Sequence, residues 1–221
     1  MDPFKDQVTK TLTQLITKEN YPCVAAIQSI NKQDFLVHTY KKFGQLHQRP
    51  ALRNDLLAYL KRFKETRSTY FTFFAAFEDE KHLSEAEFEQ NLWNELSSLT
   101  SETTRQPDQD PRFSDDPNSQ KFCFSLAGHA FFVVGLHPQS SRLSRQFPWP
   151  TLIFNVFEQF NQLAAVGKYE SMVQLNRARD SRFQESPNPM ALKYGEQWES
   201  IQFSGKENNS EWKCPFHFRT P

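Results

Sequence analysis

The chain has 221 residues, enough for one large domain with a sizeable core, and its 26 lysines and arginines balance 26 aspartates and glutamates. A net charge of zero gives no global field toward nucleic acid or an anionic membrane, so neither is expected as a partner. Three unclustered cysteines argue against a disulfide scaffold, the start MDPFKDQVTKTLTQLI lacks the features of a secretory signal, and no apolar segment reaches the roughly 20 residues of a bilayer span, so a soluble cytoplasmic protein is expected.

Phe4, Val8, Leu12, Leu15 and Ile16 recur at helical spacing and predict an amphipathic helix over 2–18. Tyr21-Pro22-Cys23 breaks it. Cys23 to Ile30 then reads as a strand, FLVHTY at 35–40 as a second, and NKQD between them as the turn of a hairpin. Pro50 to Phe63 reads as a helix, with Leu52, Leu56, Leu57, Leu60 and Phe63 on one face. TYFTFFAAF at 69–77 reads as a strand. Ser84 with Glu87 forms a capping box that opens a helix through about Leu99, and residues 100–119 form a long Pro/Asp-rich loop.

The stretch from Gln120 to Phe160 organises the chain. It predicts strands at about 121–126, 130–136 and 151–155, followed by a helix from about Phe157 to Val166. Gly167 stops that helix, and another runs from Tyr169 to about Phe183. AFFVVGL at 130–136 has no polar side chain and reads as a strand buried on both faces. Gly135 permits close approach of a bulky planar group, and Pro138 ends the strand. His129 and His137 therefore stand at its two ends. The tail is mostly irregular, and its apolar group of Trp212, Cys214, Pro215, Phe216 and Phe218 is expected to dock. Grouped strands and helices without strict βαβ alternation predict an α+β fold, one domain over 1–221, with a mainly antiparallel sheet and packed helices.

Phosphate loops, dinucleotide fingerprints, HExxH, paired CxxC and the G-x-S-x-G elbow are all absent. A zinc site assembled from Cys23, Cys123, Cys214 and a histidine remains open, because distant ligands can converge.

Tyr21-Pro22-Cys23 and Cys214-Pro215-Phe216 bracket the chain around AFFVVGLHPQSSR. Phe147-Pro148-Trp149-Pro150, Leu152-Ile153-Phe154-Asn155, Glu158-Gln159-Phe160 and Asn188-Pro189-Met190 continue the pattern. Together these motifs resemble the YqcI/YcgG family, whose members carry an N-terminal FPC and a C-terminal CPF motif. Tyr21 replaces the usual Phe, and Phe157 stands where many relatives carry a histidine.

The resemblance implies haem chemistry. Characterised relatives are haem-dependent enzymes that N-oxygenate guanidine groups, including arginine hydroxylases and a pre-guanitoxin N-hydroxylase. The expected function is accordingly haem-dependent N-hydroxylation of a guanidine substrate, with oxygen and an external electron donor. The alternative is a non-catalytic haem or small-molecule binding protein. Haem requires an axial donor, an apolar slot and cations for its propionates. His137 is the first choice of iron ligand, ahead of His129, Cys214 and Cys23. Arg142 and Arg145 are the propionate partners, because the guanidinium fork binds carboxylates bidentately. Phe131, Phe132, Phe154 and Phe160 are candidates for the slot. Glu158, opening a helix after the last central strand, is the carboxylate proposed to hold the guanidinium. The two terminal Cys-Pro motifs are expected to meet in space.

Overall fold

The computed structural model describes residues 2–45, 49–66, 68–78, 82–100, 109–186, 188–189 and 199–218. Met190, part of one of the sequence motifs, lies outside the described residues, as do 101–108 of the long loop. The fold is α+β, built on one five-stranded sheet. Its strands are β1 (Phe35–Tyr40), β2 (Thr72–Phe77), β3 (Ser125–Leu126), β4 (His129–Leu136) and β5 (Thr151–Val156), in the order β1-β2-β5-β4-β3. β1 and β2 run parallel, and the other three pairings are antiparallel. The parallel pair needs a crossover, which α3 (Pro50–Thr66) supplies.

Side chains alternate between the two faces of the sheet, and the register fixes which residues share a face. Phe73, Phe154 and Val133 are aligned, as are Phe74, Ile153 and Val134 beside them. The first set faces α3 and α4 (Glu85–Ser98), whose Tyr59, Phe88, Leu92 and Trp93 complete the larger core. The second faces α1 (Pro3–Ile16) and α2 (Val24–Asn31), through Val8, Leu12, Ile16 and Ile30. α5 (Phe157–Ala165) follows β5 directly, and α6 (Tyr169–Gln184) packs beside α2.

The structure corrects three boundaries. Residues 24–31 are helix, so no hairpin joins them to β1. Cys23 caps α2 through its sulfur, which accepts from the Ala26 N–H at 3.4 Å, so no Ser or Asp marks this helix start. β2 starts at Thr72 rather than 69, and only Ser125–Leu126 of the stretch 121–126 is strand. The capping box at Ser84 is present, with Glu87 returning a carboxylate oxygen to the Ser84 N–H at 2.9 Å.

The tail docks as its composition predicts. Phe203 accepts from the Gly135 N–H at 2.7 Å, beyond the short β3. Phe203 then stacks on Trp93, and Phe216 packs on Trp93, Phe122 and Phe124.

Candidate functional site

A cavity of about 260 Å³ opens on the α2 side of the sheet. That is close to the small end of ligand-binding pockets. Phe132, Val134, Ile153 and Asn155 of β4 and β5 form its floor, and α2, α5 and α6 form its walls. The strands place these residues together because alternate positions on neighbouring antiparallel strands point the same way.

At one end lies Tyr21-Pro22-Cys23, and the neighbouring elements fix all three residues. The Tyr21 hydroxyl donates to the Ser144 carbonyl at 3.2 Å, Arg179 Nε donates to the Tyr21 carbonyl at 2.7 Å, and Asn176 Oδ1 accepts the Val24 N–H at 2.9 Å. The Cys23 sulfur is thus held at the first turn of α2, lining the cavity. Burial pushes its thiol pKa up, and the Ala26 and Ala25 N–H groups and the Arg145 cation offset this only in part, so the net shift is upward.

Arg145 lies on the same wall and is buried. Its Nη1 donates to the carbonyls of Phe203 (3.0 Å) and Gly135 (3.4 Å), and its Nε and Nη2 bond to no described residue. Burial lowers its pKa to about 10, which leaves it cationic at neutral pH. Arg142 is differently placed. Its Nη2 pairs with Asp180 Oδ2 at 2.7 Å and it holds Ser186, so its charge is already matched, and it does not line the cavity. Asp180 and Glu199 are the carboxylates of the cavity wall.

The far end is made of Tyr70, Thr72, Asn155, Gln159, Phe160 and Tyr169. The Thr72 hydroxyl donates to Asn155 Oδ1 at 3.1 Å, and Gln159 Nε2 donates to the Phe71 carbonyl.

Of the sequence-based site residues, Cys23 and Arg145 line this cavity, and His137, His129, Arg142, Glu158 and Cys214 do not. His137 points to the opposite face of the sheet. It is completely buried, its ring stacks on Phe88 at 4.3 Å, and neither ring nitrogen has a hydrogen-bond partner among the described residues. Burial lowers its pKa to about 4. The planar group beside Gly135 is the Phe88 ring, which a β-carbon at that position would meet at 2.5 Å.

His129 and Glu158 form a separate cluster at the other end of β4. His129 Nδ1 lies 2.8 Å from Glu158 Oε1, and Arg112 Nη2 lies 3.2 Å from the same oxygen. Burial raises the Glu158 pKa, but the His129 hydrogen bond, a backbone N–H and the nearby Arg112 guanidinium outweigh it, so the net shift is downward. Arg112 also grips Asp110, which accepts the Ala130 N–H at 3.1 Å, so the cluster ties the end of the long loop to β4.

Cys214 packs in the larger core, and burial pushes its thiol up to about 12. The two Cys-Pro motifs therefore lie on opposite faces of the sheet and do not meet. The same separation prevents Cys23 from sharing a zinc ion with Cys123 and Cys214, and no group of three or more His, Cys, Asp or Glu among the described residues is arranged to hold a metal. Phe157, where the resemblance leads one to expect a histidine, is buried against Phe113 and Phe160 and is not part of the cavity.

Sequence reasoning missed Tyr21, Asp180, Asn155 and Gln159 as cavity residues. Asn155 and Gln159 stand four apart across a strand-to-helix junction, and only the fold shows that both face one space. Among the described residues no helix is long and apolar enough to cross a membrane. Comparison with curated proteins and with solved structures finds no match. The YqcI/YcgG family, by contrast, matches residues 12–217, a span that takes in the Tyr21-Pro22-Cys23 corner, the whole sheet and the docked Cys214-Pro215-Phe216, and the chain belongs to that family.

Proposed function

We propose that this chain is a haem-dependent monooxygenase that hydroxylates a guanidine nitrogen, using oxygen and an external electron donor. The observation that carries the reading is the Cys23 sulfur at the first turn of α2, lining a largely apolar cavity with the buried Arg145 on the same wall. These residues are of the types the group needs, and the cavity of about 260 Å³ must widen to admit a porphyrin. A thiolate is a known axial donor for haem, and N–H groups aimed at the sulfur stabilise its charge. Arg145 offers a cation with two unengaged nitrogens for a propionate. Phe132, Val134, Ile153 and Phe160 supply apolar wall.

When bound, haem supplies the activation of oxygen. The protein's own contribution is positional. The Tyr21, Asn176 and Arg179 contacts fix the sulfur, the rings of the far end give an apolar lining, and Glu199 on the wall favours a cationic substrate, the charge of Asp180 being matched by Arg142. Cys23, in place of His137, would hold the iron in this reading, because the His137 ring is sealed on the opposite face against Phe88.

The test is the visible spectrum of the purified protein with its ferrous–CO form. A thiolate-type band is expected in the wild type and its loss in Cys23→Ser, whereas His137→Ala should retain it. Turnover with reductant, oxygen and arginine-like substrates then separates an enzyme from a non-catalytic haem binder. A protein that takes up no haem under any loading condition sinks the proposal.

A further inference from the structure

The end of the cavity remote from Cys23 carries a polar atom that the fold leaves open. Gln159 is 3% exposed and sits in the first turn of α5. Its Nε2 is committed to the Phe71 carbonyl, a group that can only accept. That bond fixes which end of the amide faces which way, so Oε1 is the end turned away from Phe71. Oε1 bonds to no described residue and is not among the buried unsatisfied atoms, so it lies open on the cavity that Gln159 lines. The rings of Tyr70, Phe132, Phe160 and Tyr169 line the same cavity, as does Asn155, which is tied to Thr72.

We infer that Gln159 is a specificity-determining residue, whose fixed Oε1 accepts an N–H from a planar, donor-rich substrate group lying among these rings. The inference rests on the guanidine-oxygenase reading for its substrate class, but it replaces Glu158, whose carboxylate is engaged by His129 and Arg112 outside the cavity. A guanidinium offers N–H donors on every edge and a flat face that suits aromatic rings. The matched urea differs by carrying a carbonyl oxygen where the guanidinium has N–H₂. An immobile acceptor disfavours the analogue in the orientation that turns its carbonyl oxygen toward Gln159, because two lone pairs then oppose each other, so the urea binds in fewer orientations than the guanidinium, which presents a donor on every edge.

The experiment is calorimetric titration of the purified full chain with N-propylguanidine and N-propylurea, for the wild type and Gln159→Met, with haem content recorded in parallel. Methionine keeps the length and the apolar stem but has no strong acceptor. The wild type should bind the guanidine at least about 10-fold more tightly than the urea, and Gln159→Met should lose about 10-fold on the guanidine and little on the urea. Haem content should be the same in both proteins. Equal binding of the two ligands by the wild type, or binding of neither, overturns the inference, and that comparison holds even if the variant fails to fold. A folded Gln159→Met with unchanged preference overturns it too. Guanidine preference that Gln159→Met abolishes, in a protein that binds no haem, would sustain the role of Gln159 while removing the oxygenase reading.

Discussion

His137 has a consequence for stability that is independent of any ligand. Its imidazole is completely buried and held neutral, with a pKa lowered to about 4 by burial, only partly offset by Glu85. In the unfolded chain the same ring titrates near 6.5. Between these values the unfolded state binds a proton that the folded state refuses, so stability falls as pH drops through this window. Denaturant unfolding should show about 2 kcal/mol less stability at pH 5 than at pH 7 from this residue. In His137→Phe, which keeps the stack on Phe88, the acid loss should shrink by about that amount. An identical pH dependence in the variant would show that the ring is already protonated or hydrated. Under the proposed function Cys23→Ser should lose the thiolate-type ferrous–CO band, and Cys214→Ser should leave the spectrum unchanged because its sulfur lies in the other core.

At the scale of elements, β4 shows why the sequence was readable and where it misled. Its unbroken apolar run identifies a central strand, and the antiparallel pairing with β5 follows. The side each residue takes is set by register, which composition does not contain, so His137 could be placed at the strand's end but not on a face. α2 failed for a different reason. VAAIQSI is too short for helical period to be told from a strand, its Val and Ile favour extended backbone, and its cap is a cysteine. The long helices α3, α4 and α6 were legible because two or more turns repeat the same face. Gly135 belongs to this scale as well, since it lets α4 lie against β4. Gly135→Ala should cost about 1–3 kcal/mol by overpacking against Phe88 and Leu92, measured as a lowered denaturation midpoint with an unchanged slope.

Across the whole molecule, one sheet separates two jobs. Its α3–α4 face carries most of the aromatic core, including the docked CPF motif, while its α2–α6 face holds the cavity. The paired tripeptides look alike in sequence because each combines a cysteine, a proline and an aromatic ring, yet one lines a cavity and the other closes a core. Phe216→Ala should therefore destabilise the fold by about 3–5 kcal/mol in chemical denaturation, with the haem spectrum of the remaining folded protein unaltered. A spectral change there without loss of stability would mean that the two faces communicate.

The strip from Glu199 to Gly205 bears on how the protein is made. Glu199 and Gln202 line the cavity, the Phe203 carbonyl holds both Arg145 and the edge of β4, and Gly205 leaves room for the Arg145 side chain. Every one of these residues comes later in the chain than the strands and helices that they complete. During synthesis the N-terminal parts emerge first. The nascent sheet must therefore wait with its cavity unwalled and Arg145 without its Phe203 contact until this strip leaves the ribosome, so any group that the cavity holds would enter only after residues 199–205 are made, and a chain stalled before residue 199 would lack the wall that retains it.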